Sequence, residues 1–133
     1  MVVPALVEEA TRRSAVVWVT PDGADRAFPV WHLWHEGRAY VVTGGLEQPL
    51  PGGAAAQRAV VTVRSKAKQN DRLVQWVADV EPVLPGTPEW DEVVPLLHAK
   101  RLNPPDGDAQ PARWARESVV LRLTPTGELV PVR

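Results

Sequence analysis

The stretch that most constrains the fold is Phe28–Gly44, FPVWHLWHEGRAYVVTG. From Phe28 to His35 most residues are aromatic or β-branched, the types that suit a pleated surface. Glu36-Gly37 interrupts the run, and Gly37 offers the positive φ that a tight hairpin turn needs. Arg38 to Thr43 then resumes strand character. The stretch predicts a β-hairpin. Side-chain alternation puts Val30, His32 and Trp34 on one face and Trp31, Leu33 and His35 on the other. Each face carries a tryptophan, so each must be covered, one by the core and one by a partner or ligand.

The remaining segments can be arranged around this pair. Pro4 to Arg13 predicts a short helix with Leu6, Val7 and Ala10 as its apolar stripe and a Glu8–Arg12 pair. Ala15 to Thr20 reads as a strand, closed by a Pro21-Asp22-Gly23 turn. Ala59 to Ser65 is a further strand, and Lys66 to Asp71 a polar turn. Arg72 to Leu84 predicts a long strand with Val74, Trp76, Ala78 and Val80 facing inward. Thr87 is placed to cap a helix that starts at Pro88 and runs to Arg101. Pro95 inside it predicts a kink or a break. Leu102 to Pro111 reads as a loop and Glu117 to Thr124 as a strand. Pro125-Thr126-Gly127 reads as a turn before a last strand, Glu128 to Val132. The 133 residues predict one domain spanning 1–133. The fold expected is mainly β with α: six to seven antiparallel strands in a small closed barrel, a short N-terminal helix and one crossover helix near 88–101.

Composition narrows the function. A net charge of −1 gives no field that would gather nucleic acid or an acidic membrane surface. No run reaches membrane-spanning length, and the N-terminus is not expected to act as a signal peptide. The absence of cysteine removes thiol catalysis and thiolate metal sites and suits the cytoplasm. His32 and His35 point to opposite faces, so no metal site is expected from them. No Ser-His-Asp set, P-loop or dinucleotide fingerprint is present. Two basic regions stand out. Arg58, Arg64, Lys66 and Lys68 lie in a stretch without acids, which reads as a phosphate cradle or as a solvated strand end. Lys100, Arg101, Asn103, Arg113, Trp114 and Arg116 form the second, which reads as a ligand site or as helix-end and loop anchoring.

The motif order is the basis of a resemblance. VTPDG, then PVWHLWHEGRAYVVTG, is followed by a long strand bearing Arg72, Val74, Ala78, Val80 and Glu81, and by a closing Arg122-Leu123-Thr124-Pro125. Over residues 5 to 130 this resembles the split β-barrel of the pyridoxamine 5'-phosphate oxidase-like flavin-binding superfamily, in its actinobacterial flavin/deazaflavin branch. The resemblance implies a homodimer with FMN or a deazaflavin at the subunit interface, and oxidoreductase chemistry. It would place Thr43, Gly44, Arg58, Arg64 and Lys66 on the phosphate side, and Trp31 and Trp34 on the ring or substrate side. One segment departs from it. Where many members carry a basic Ser-Arg-Lys-like loop, this chain reads GGLEQPLPGG, with Glu47 and no base. A dianionic phosphate needs cations or aimed amides. Two alternatives follow: a cofactor-less dimer that acts as a binding protein, or a haem-binding member with His32 or His35 as axial ligand.

Overall fold

The structure, a computed structural model, describes residues 4–65, 71–101 and 103–131. Helix α1 (Ala5–Arg13) leads into strands β1 (Val16–Pro21), β2 (Phe28–Trp31), β3 (Leu33–His35) and β4 (Arg38–Thr43). Then come β5 (Arg58–Ser65), β6 (Asp71–Val83), α2 (Pro88–Lys100), a 3-10 turn (Gly107–Ala109), α3 (Gln110–Glu117) and β7 (Val119–Val130). All seven strands join one antiparallel sheet in the order β2-β1-β5-β6-β7-β4-β3. The expected fold class is the one observed.

The sheet's two edge strands, β2 and β3, are separated in the chain by His32 alone. Strands so close in sequence can occupy opposite edges only if the sheet curls until those edges meet. The single strand expected from Phe28 to His35 is therefore broken at His32. Its first half pairs with β1 and its second with β4. The cause is tertiary: the His32 ring is buried, and its Nε2 donates to the Thr11 carbonyl at 2.7 Å. Alternation survives the break. Val30 and Trp34 face the barrel interior, and Trp31 and Leu33 the outer layer.

Two apolar clusters fill the molecule. The barrel interior holds Val17, Val19, Val61, Val63, Trp76 and Leu123, among others, with Trp34 edge-on to Trp76 at 6.2 Å. Helix α1 closes this barrel with Val7 and Ala10, and Trp76 Nε1 donates to Thr11 Oγ1. The second cluster lies outside β4 and β7, where Tyr40, Val42 and Val120 meet Trp90, Val93, Leu97 and Trp114 of α2 and α3. The outer face of β1, β5 and β6 is less covered. Val16 and Leu73 are each 45% exposed there. Leu73 shares a depression with Leu6 and Leu129.

Several expectations are corrected. In α1, Leu6 is exposed and Thr11 completes the buried stripe. The acid paired with Arg12 and Arg13 is Glu9, at 2.6 and 3.1 Å, in place of Glu8. Helix α2 is capped by Thr87 as expected, but it runs unbroken through Pro95. The expected loop 102–111 contains the 3-10 turn, and Gln110 then starts a helix not foreseen, with Pro111 in its first turn. The two closing strands are one. β7 passes from Pro125, opposite Ala78, to Leu129, opposite Trp76, so Pro125-Thr126-Gly127 forms a bulge. Thr126 Oγ1 seals it by donating to the Val77 carbonyl at 3.0 Å. The Lys66–Asp71 turn falls mostly outside the described residues.

Candidate functional site

The alternation of β1 turns Val17 and Val19 inward and leaves Val16 and Trp18 on the outer face. Trp18 pairs with Thr62 of β5, so Arg64, two residues on, reaches it diagonally. The Arg64 guanidinium lies 4.6 Å from the Trp18 ring centroid, close enough for a cation–π contact. Its Nε is buried and has no hydrogen-bond partner among the described residues. This pair borders a cavity of about 460 Å³ whose other walls include Leu6, Arg13, Val16 and Leu73. Glu9, also on its rim, is already engaged by Arg12 and Arg13.

A second cavity, of about 330 Å³, lies on the other side of the β1 entrance and is lined by Ala15, Val16, Trp31, Lys100 and Arg101. The two cavities share Ala15 and Val16. Trp31 is fixed beside the second one by Gln48. The Trp31 amide donates to Gln48 Oε1 at 2.8 Å, and Gln48 Nε2 donates to the Trp31 carbonyl at 3.0 Å. The same amide group reaches the Val42 carbonyl at 3.1 Å, and Thr43 Oγ1 donates to the Gln48 carbonyl at 2.7 Å. Gln48 thus ties the β2 edge to β4 across the place where the strand splits. No sequence pattern pointed to it.

The loop after β4 holds its acid inside. Glu47 is buried and accepts from Arg101 Nε at 2.9 Å and from Arg113 Nη2 at 3.2 Å. Arg113 also donates to Asp106 at 2.9 Å, a bond that lowers the Asp106 carboxyl below its ordinary range and raises Arg113 above its own. Two bases of the second basic region therefore anchor this loop. Trp114 is fully buried among the helices, and Arg116 bonds its own helix at the Ala112 carbonyl. Lys100 differs. No ion pair to it occurs among the described residues, and partial burial lowers its ammonium pKa.

The candidate residues are thus only partly gathered. Arg64 and Trp31 sit in the two adjoining cavities. Arg58 stands at the far end of β5, roughly 20 Å from Arg64 at strand spacing, and pairs with Asp79 at 3.3 Å. Thr43 is bound to Gln48, and the Gly44 carbonyl accepts from Ser118 Oγ at 2.9 Å, so both serve the loop's attachment. Lys66 lies outside the described residues. Trp34 belongs to the barrel interior.

The histidines have separate tasks. Burial drives His32 down to about 4, so it is neutral at pH 7, and its Nε2 proton is held by Thr11. His35 Nε2 lies 3.0 Å from Glu92. With Glu36 these form a group whose ligand-type atoms all fall within 4.8 Å of one another, on an accessible edge. His98 contacts Gln110 at 2.9 Å. Tyr40, raised to about 12 chiefly by burial and then by Glu89, donates to Glu89 at 2.8 Å and joins α2 to the sheet.

No family model matches the chain, and no curated protein matches it significantly. Solved structures do match. HutZ, the heme storage protein from Vibrio cholerae, superposes with a TM-score of 0.62 at 13% identity, over 99% of this chain and 96% of its own. The general stress FMN/FAD-binding protein from Xanthomonas citri gives 0.60 at 14% identity, over 96% and 87%. An F420 reductase gives 0.58 at 16% identity, over 90% and 92%. The chain has the split-barrel fold of the pyridoxamine 5'-phosphate oxidase-like proteins, as the sequence motifs implied. No helix among the described residues is long and apolar enough to cross a membrane.

Proposed function

We propose that this chain binds a flavin or a deazaflavin on the face formed by β1 and β5, between two copies of itself in the cytoplasm, and serves as an oxidoreductase. The observation that carries this reading is the pair of adjoining cavities at Ala15 and Val16, one presenting Arg64 and the other Trp31. The residues fit a planar anion there. Arg64 has a buried N–H without an acceptor among the described residues, and a phosphate oxygen is the acceptor that guanidinium suits best. They fit a phosphate less well at the loop after β4, where the Glu47 carboxylate would repel it and holds both Arg101 and Arg113, although Arg113 Nη1 is also a buried donor without an acceptor among the described residues. Arg64 would hold the phosphate, and Trp31 would stand on the ring or substrate side. When bound, such a cofactor accepts and donates hydride. The chain's own part is to position it and exclude water. A second copy covering Val16 and Leu73 would close the face, consistent with their exposure.

Titration of the purified protein with FMN, FAD and F420, followed by visible absorbance, tests the reading. At least one should bind at micromolar concentration, and Arg64→Ala should weaken it by about tenfold or more, the value of a charge-assisted hydrogen bond. Binding of none overturns the oxidoreductase reading. Light scattering reports the dimer, which Leu73→Asp should disrupt.

The anchored Glu47 favours a second reading, a barrel that keeps the dimer and binds another molecule without flavin. In its haem-binding form, His35 is the better axial candidate, because His32 is buried with its Nε2 proton committed to Thr11. A Soret band on haemin addition, lost in His35→Ala, would select that form.

A further inference from the structure

We infer that the cavity between Trp31 and Lys100 is a binding site for a small monoanion with an apolar body, of the aromatic carboxylate class. Among the described residues it is lined by Ala15, Val16, Trp31, Lys100 and Arg101, and the last two bring its cationic side chains. Arg101 is bound to the buried carboxylate of Glu47 at 2.9 Å. Lys100 has no carboxylate partner among the described residues, and its ammonium is partly withdrawn from water. A partly exposed cation beside an apolar wall is matched by one anionic group joined to an apolar surface. Lysine acts as a point charge, with no fork to grip a phosphate bidentately. One ammonium and one indole therefore suit a single carboxylate on a ring better than a dianion. The volume, about 330 Å³, is near the lower end for ligand clefts and limits the ring system to one or two fused rings.

The wall is built to keep its shape. Trp31 is clamped on both sides of its peptide by Gln48, and Lys100 and Arg101 follow the buried Leu97 at the end of α2. The cavity adjoins the one at Arg64 through Ala15 and Val16. The site thus deepens the oxidoreductase reading by naming the substrate class, and it rests on that reading for its reaction but not for its binding.

Calorimetric titration of the cofactor-free protein with 2-naphthoate and with its neutral amide, 2-naphthamide, separates the two. The acid should bind about tenfold tighter or more, the value of one charge-assisted bond. Lys100→Gln should erase that preference while leaving the amide's affinity unchanged. Because Lys100 is an exposed residue in the last turn of α2, its replacement should leave the melting temperature in place. Trp31→Phe, which keeps an aromatic wall, should weaken both ligands alike. Equal affinity for acid and amide, no binding of either, or a preference that survives Lys100→Gln overturns the inference. Absence of flavin binding alone does not touch it.

Discussion

His32 makes the stability of this barrel depend on pH in a direction that can be stated in advance. Its ring is fully buried at the bend between β2 and β3, with Nε2 on the Thr11 carbonyl. Burial holds its pKa near 4 instead of 6.5, the hydrogen bond to Thr11 opposes the shift, and the charge of Lys100 adds to it. The unfolded chain therefore takes up this proton earlier than the folded one as pH falls. The stabilisation is complete above about 6.5 and is withdrawn progressively as the pH drops to about 4. At about 1.4 kcal/mol per pH unit, the loss is roughly 3 kcal/mol, a large part of a typical domain's stability. Urea unfolding at a series of pH values should be compared between the wild type and His32→Gln. The glutamine keeps an N–H for Thr11 and does not titrate. Every other ionisable group is common to both proteins, so the difference between the two curves isolates His32. That difference should be flat above pH 7 and should shift by about 3 kcal/mol in favour of the variant by pH 4. Parallel curves across the whole range would show that the imidazole is not held neutral, and the account of the bend would fail.

Other outcomes follow from single contacts. Glu47→Ala leaves Arg113 with Asp106 alone as its carboxylate partner among the described residues and removes the Arg101 bond, so it should lower stability by about 1–3 kcal/mol, read by chemical denaturation. Thr11→Val removes the acceptor of the buried Trp76 indole N–H and should cost about 1–3 kcal/mol, visible as a lower thermal midpoint. Gly45 has φ +63, and a Cβ there would stand 3.1 Å from the Glu117 carbonyl oxygen. Gly45→Ala should thus cost roughly 1–3 kcal/mol, whereas an alanine at Gly23, where the added atom meets nothing within 4 Å, pays only for its own positive φ.

What was legible in the sequence was what repeats at a period of two. Val74, Trp76, Ala78 and Val80 alternate toward the interior, and all four are buried as expected. The caps and the crossover helix were legible because Thr87, Pro88 and the spacing of Trp90, Val93, Val94 and Leu97 are local signals. α3 was missed for a physical reason. Its buried side is Gln110, Arg113 and Trp114, so two of its three inward residues are polar and hydrophobic periodicity does not register them. The bulge at Pro125-Thr126-Gly127 carries turn residues, and only the bond from Thr126 to the partner strand distinguishes it from a turn. At the site, the chemistry of Arg64 and Trp31 singled them out, but nothing local places Arg58 at the other end of the strand. Nor does anything local reveal that Glu47 meets arginines 54 and 66 residues away.

The break at His32 links these parts. An unbroken strand from Phe28 to His35 would stay on one edge of the sheet, and the barrel would remain open between β2 and β4. Because the chain turns at His32, the β2 end at Trp31 stands beside β4 without pairing to it, and the backbone groups there need other partners. Gln48 supplies them, bonding Trp31 twice and Val42 once. Gln48 can do so only if its loop is held down, and the neighbouring Glu47 holds it through Arg101 and Arg113. The acid that departs from the basic loop pattern is therefore part of the barrel's closure. Had the loop kept its bases to bind phosphate, Arg101 and Arg113 would face like charge and the seam at Trp31 would lose its anchor. On the flavin reading, the phosphate role would fall to a cation outside the loop, and Arg64 on β5 offers a buried N–H without an acceptor among the described residues.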